Sequence, residues 1–73
     1  MNYKDLGEFV KSERKKHDFT QADLAKLSDV TDRTIKNIEA GIKTHINTLR
    51  KVMKVLGYKV DMTTQIVFSI KKD

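Results

Sequence analysis

The sequence contains no cysteine, no proline and no tryptophan, and only three glycines. Without cysteine there is neither a disulfide nor a thiolate ligand for a metal. The two histidines, His17 and His45, lack ligand-spaced neighbours, so no metal or other cofactor is expected. Ser12, Ser28 and Ser69 have no neighbouring histidine in sequence and read as cap, turn or strand residues. A glycine-rich phosphate loop is also missing, so an enzyme is not expected. No apolar run approaches the roughly 18 residues of a membrane span. With no signal peptide at the start, the expectation is a cytoplasmic protein without a membrane partner. The lack of proline leaves turns to glycine and to capping side chains.

What is present is short and basic. A domain of this size buries only about 60% of its unfolded surface, which leaves a thin stability margin. With disulfides and metals excluded, a second copy of the chain is the natural remaining source of stability. The net charge of +5 is unevenly placed. Up to Ile42, 8 Lys/Arg stand against 8 Asp/Glu; from Lys43 onward, 7 stand against 2. Such a balance fits a polyanion partner, and it also fits ordinary solubility charge.

Apolar spacing predicts four helices. The first, Tyr3 to Lys16, carries Tyr3, Leu6, Phe9 and Val10 at helical intervals, with acids early and lysines late. The second starts after Thr20, an N-cap with Asp23 three residues on. Phe19 and Leu24 have the spacing of a hydrophobic staple, and Val30 and Ile35 repeat it around the cap Thr31 of the third helix. Gly41 is placed to end that helix in the left-handed conformation. Only Ser28-Asp29-Val30 separates helices two and three, which suggests a sharply angled helix-turn-helix pair. A fourth helix, about Ile46 to Leu56, would bury Ile46, Leu49, Val52, Met53 and Leu56, with His45 a poor residue to open it.

The third helix carries the chemistry. With Ile35 pointing inward, Ile38 and Glu39 fall within about 60° of it. Arg33 and Asn37 then lie on the opposite side, flanked by Lys36 and Thr34. Arginine pairs bidentately with guanine and asparagine with adenine, while a threonine methyl can meet that of thymine. Asp32 can cap the helix or accept from a cytosine amine. A plain solvated face would look the same. The start of the second helix, Thr20-Gln21, offers backbone N–H groups to a phosphate, and Gln21 can reach a phosphate or a base. Lys43, Arg14, Lys15 and Lys16 are further phosphate candidates, with simple solvation as the alternative.

Thr20-Gln21-x-x-Leu24-Ala25, then Val30 through Thr34-Ile35, then Ile38-Glu39-x-Gly41, resemble the Cro/repressor-type (XRE) helix-turn-helix family over Phe9 to Leu56. The resemblance implies a compact helical domain with the third helix in the major groove and the second across the backbone. It implies DNA contacts from Gln21 and from Arg33 through Asn37, and an internal role for Glu39, with Arg14 as its partner. Two features depart from the family. The segment before the fourth helix is one residue short and lacks its usual proline. A strand-like tail also replaces the usual fifth helix. Short chains of this build resemble HipB-like antitoxins, which repress their own operon and hold a toxin. The function expected is a homodimeric repressor on a palindromic operator, with the antitoxin as the alternative.

The tail alternates. Tyr58, Val60, Met62, Thr64, Ile66, Phe68 and Ile70 take the even positions and mostly polar residues the odd ones, which predicts strand. A three-residue hairpin loop, Thr63-Thr64-Gln65, would match Met62 with Ile66, Val60 with Phe68 and Tyr58 with Ile70. That loop lacks the Gly or Asn it needs. One extended strand pairing with a two-fold mate keeps the register without a turn. The fold class expected is mainly α: a four-helix repressor-like domain over residues 1–57, and a C-terminal strand over 58–73 serving as dimer sheet or hairpin. The predicted partners are double-stranded DNA, a second copy held through Tyr58, Val60, Met62, Ile66, Phe68 and Ile70, and, in the alternative reading, a toxin protein.

Overall fold

Each helix begins on a side chain that satisfies a backbone donor left over at its first turn. In the computed structural model, which describes residues 1–64 and 67–73, α1 spans Tyr3–Lys16, α2 Gln21–Ser28, α3 Asp32–Glu39 and α4 Ile46–Val55. Asn2 Oδ1 accepts from the Asp5 N–H at 2.8 Å and opens α1. Thr20 and Asp23 close a full capping box at α2. Thr20 Oγ1 accepts from the Asp23 N–H at 3.0 Å, and Asp23 Oδ2 accepts from the Thr20 N–H at 2.9 Å. Thr31 caps α3 through the Thr34 N–H at 3.1 Å. The expectation of a poor cap at His45 is corrected. Its Nδ1 accepts from the Asn47 N–H at 3.1 Å, so an imidazole nitrogen stands in for the usual oxygen.

Three of the helix ends share one geometry. Asp18, Asp29 and Gly41 adopt left-handed φ values of 58°, 58° and 79°. The next N–H then reaches back to a carbonyl of the last turn: Phe19 to Arg14, Val30 to Ala25 and Ile42 to Asn37, at 3.1, 3.0 and 3.0 Å. Phe19 and Val30 pack half-buried against the core and lie directly before the next N-cap. One residue therefore ends each helix and sets the entry angle of the following one. Sequence signals single out Gly41 but not the two aspartates, which tolerate this conformation less readily.

Leu6 and Val10 of α1, Leu24 and Ala25 of α2, Ile35 and Ile38 of α3, and Leu49, Val52 and Met53 of α4 meet in one core. The helix boundaries agree with the apolar spacing, and the apolar stripes face the core except at Leu27 of α2, which spacing would group with Leu24 and Ala25 and which is 56% exposed. α1 approaches the end of α3 at backbone distance. A Cβ on Gly7 would overlap the Ile38 carbonyl oxygen and stand 3.0 Å from that of Glu39, so only a residue without one fits.

The tail folds back on the same chain. β1, Tyr58–Met62, pairs antiparallel with β2, Phe68–Lys72, in the register Tyr58 with Lys72, Val60 with Ile70 and Met62 with Phe68. Of the two arrangements left open for the tail, the hairpin is the one formed, and its register differs by two residues from that of a three-residue loop. Even positions still face even positions, so the parity that sorts apolar from polar side chains is kept. Five residues separate the strands, a length that does not demand the Gly or Asn of a tighter turn. Thr63 N–H donates to the Val67 carbonyl at 2.9 Å, and Val67 N–H to Thr64 Oγ1 at 3.1 Å. Ile66, expected among the dimer-forming residues, lies outside the described residues.

The reason for folding back is visible in the packing. Val60 and Phe68 are 2% and 3% exposed and complete the core over α1 and α4. Tyr3 meets Phe68 edge-to-face at 4.8 Å, and Phe9 meets Tyr58 in the same way at 5.0 Å. The Tyr58 hydroxyl donates to the buried Glu13 carboxylate. Met1 exchanges two hydrogen bonds with the Phe68 backbone, at 2.6 and 3.1 Å, on the outer edge of β2. Among the described residues, no helix is long and apolar enough to cross a membrane.

Candidate nucleic-acid interface

The inner face of α3 is fixed before its outer face is considered. Ile35 and Ile38 are 0% and 2% exposed, so the rotation of the helix is set by the core. Arg33 and Lys36 are exposed on the far side, and Asp32 is exposed at the first turn. Asn37, one turn after Arg33, is half-buried, as is Thr34 on the flank. Thr34 Oγ1 lies 2.9 Å from Thr31 Oγ1, so its hydroxyl is tied to the cap and its methyl is the part left for a base. The expected reading face of Arg33, Thr34, Lys36 and Asn37 is therefore assembled on one helix, with no Arg33 or Lys36 ion pair among the described residues.

The start of α2 is more constrained than the sequence suggests. Thr20 is exposed, but its N–H and hydroxyl are both engaged with Asp23. The bond from the Thr20 backbone, with that from its hydroxyl next, holds the Asp23 carboxyl below its ordinary pKa. The N–H groups of Gln21 and Ala22 remain for an anion, beside a carboxylate that partly offsets the helix dipole. Gln21 is half-buried, and its Nε2 donates to Glu39 Oε1 at 3.2 Å. A side chain expected to reach freely toward DNA is thus held from behind.

Arg14 departs from the phosphate role considered for it. It is 8% exposed and makes a two-pronged pair with Glu39, Nε to Oε2 at 2.7 Å and Nη2 to Oε1 at 3.1 Å. Its Nη1 donates to the Phe19 carbonyl at 2.8 Å. Glu39 raises the Arg14 pKa above its already high value, so the guanidinium is a fixed cation committed to the interior. The internal partnership expected for Glu39 is the one observed. Lys16 leans on Glu13 at 3.7 Å, while Lys15 and Lys43 are exposed without an ion pair among the described residues. His17 lies with Nδ1 2.8 Å from the Glu13 carbonyl and stacks on Phe19.

Much of the C-terminal positive charge lies elsewhere, on α4 and the hairpin. A groove there is lined by Arg50, Lys54, Tyr58, Lys59, Val60, Asp61 and Asp73. Arg50 pairs with Asp61 at 3.2 Å and Lys59 with Asp73 at 3.7 Å, which spends part of that charge internally. Composition counts these cations equally with Arg33 and Lys36, and only the fold separates them from α3.

A curated-protein search finds no match to the chain. The family model described as helix-turn-helix matches residues 10–62, well over half of the 73. That span runs from the second half of α1 through the paired α2 and α3 to the end of β1. On this match, the chain belongs to the Cro/repressor-type helix-turn-helix family and is a DNA-binding transcriptional regulator.

Proposed function

We propose that this regulator is a repressor that binds a palindromic operator as a homodimer, with α3 in the major groove. The observation that carries this reading is the Arg33–Asn37 pair, the first exposed and the second half-buried, one turn apart and opposite the buried Ile35 and Ile38. Arg33 reads a guanine and Asn37 an adenine; Thr34 offers a methyl, and Lys36 flanks them. Asp32 accepts from a cytosine amine at the start of the helix. Thr20, Gln21 and Lys43 hold the phosphate backbone and set the register. The protein works in the cytoplasm by binding rather than by catalysis. Enrichment of a random duplex library by the protein supplies the cognate site. Arg33→Ala then costs about 1–3 kcal/mol on that site and little on random DNA. Lys43→Ala weakens both alike. An unchanged ratio of specific to random affinity in Arg33→Ala would sink this assignment.

In this reading residues 1–57 carry the DNA contacts and residues 58–73 the self-association. Val60 and Phe68 are committed to the core, so the contact between copies falls to the exposed Met62 and Val67, with Met1 beside them on β2. The same exposed apolar side chains favour a second reading, in which this end of the hairpin holds a different protein, as an antitoxin holds its toxin. Sedimentation separates the two. The wild-type chain alone is a dimer under the first reading, and Met62→Lys makes it a monomer while it stays folded. A monomeric wild type favours the second.

A further inference from the structure

Glu39 is the last residue of α3, and its side chain is 5% exposed. Its two oxygens serve three donors. Oε2 takes Arg14 Nε, and Oε1 takes both Arg14 Nη2 and Gln21 Nε2. The three residues come one each from α1, α2 and α3, and Arg14 also binds the Phe19 carbonyl just before the α2 cap. A carboxylate can only accept, so the Gln21 amide has one orientation here, with nitrogen toward Glu39. Its Oε1 and second N–H have no protein partner among the described residues, and the residue is the first of α2 and only half-buried.

We propose that Glu39 is a positioning residue for DNA recognition: it fixes the rotamer and amide orientation of Gln21, so that Gln21 meets DNA already ordered. This rests on the DNA-binding function proposed above. A glutamine side chain that must be ordered on binding loses rotamer freedom worth about tenfold in affinity. Here that cost is met on folding, by a carboxylate whose own position is set by Arg14. The end of the recognition helix thereby reaches the backbone-facing helix through one side chain. A purely structural Glu39 would hold the three helices together and leave the contribution of Gln21 independent of it.

The test is a double-mutant cycle on a duplex enriched from a random library by the wild-type chain. Gln21→Ala and Glu39→Gln are each expected to weaken binding about tenfold, and the double variant to lose no more than the weaker of the two. Losses that multiply, or wild-type binding by Glu39→Gln, would overturn the proposal. Should Glu39→Gln fail to fold by circular dichroism, nitrogen relaxation of the Gln21 side-chain amide in the free wild-type protein decides instead. An order parameter near the rigid value of about 0.85 supports the proposal, and one below about 0.6 overturns it. If the wild-type chain enriches no duplex at all, the DNA-binding function itself falls and the proposal with it, whatever the amide order parameter shows.

Discussion

Gly7 lies mid-helix, where a glycine is a local weakness relative to alanine, and sequence periodicity assigns it no purpose. The Ile38 carbonyl, which occupies the space its Cβ would need, supplies one, since α1 rests directly on the end of α3. Gly7→Ala is expected to destabilise the protein by about 1–3 kcal/mol through overpacking. The gain in helix propensity, up to about 1 kcal/mol, only partly offsets this. DNA affinity should fall along with stability, because the obstructing atoms belong to α3. A urea midpoint at or above that of the wild type would refute the close contact. Asp29 presents a different local conflict. It takes a left-handed φ of 58° and places a carboxylate at the negative end of α2. An asparagine in its place would tolerate the same backbone without the charge. Asp29→Asn should therefore stabilise by about 0.3–1 kcal/mol at low ionic strength, with the gain shrinking in high salt. A gain insensitive to salt would mean that backbone preference rather than charge is responsible.

Two elements are held in place by groups whose titration gives them a pH signature. At α2 the Thr20 bonds lower the Asp23 pKa, so the stability they confer is present above the ordinary carboxylate value and lost as pH falls through the lowered one. Asp23→Ala should destabilise near neutral pH, and the deficit should close in acid. A deficit of the same size at both ends would show that the charge plays no part in the cap. At the hairpin the sign is reversed. The Glu13 bond chiefly, with burial adding, raises the Tyr58 phenol. Its contribution is complete below the ordinary phenol value of about 10 and lost as pH rises through the raised one. Tyr58→Phe should flatten the alkaline limb of the stability profile. An unchanged limb would mean that the bond does not anchor β1. The middle two helices were legible in the sequence down to their caps, Thr20 with Asp23 and Thr31 before α3, because those signals are local, whereas the caps Asn2 and His45 were not. The hairpin register was not. Parity restricts the pairing to even with even, but the choice among such registers depends on where Val60 and Phe68 meet Tyr3 and Phe9, far away in the chain.

Across the complete fold, the cations divide into those spent internally and those left for an anionic partner. Arg14, Arg50 and Lys59 are paired, while Lys15, Arg33, Lys36 and Lys43 have no ion pair among the described residues. Binding to duplex DNA should therefore weaken steeply with salt, with a log–log slope of about −0.9 for each phosphate neutralised. Lys43→Ala should reduce that slope by about 1, whereas Lys59→Ala should leave it unchanged. Equal effects would place the interface over the hairpin groove instead of α3. The order of the four helices and the placement of Arg33 opposite Ile35 follow from sequence alone, because periodicity and capping act within a few residues and need no partner. Tertiary structure decided what depends on distant groups: the capture of Gln21 by Glu39, the need for glycine at position 7, and the return of the tail onto its own core. In each case the deciding atom is supplied by an element far along the chain, and no local pattern can encode where that atom will stand.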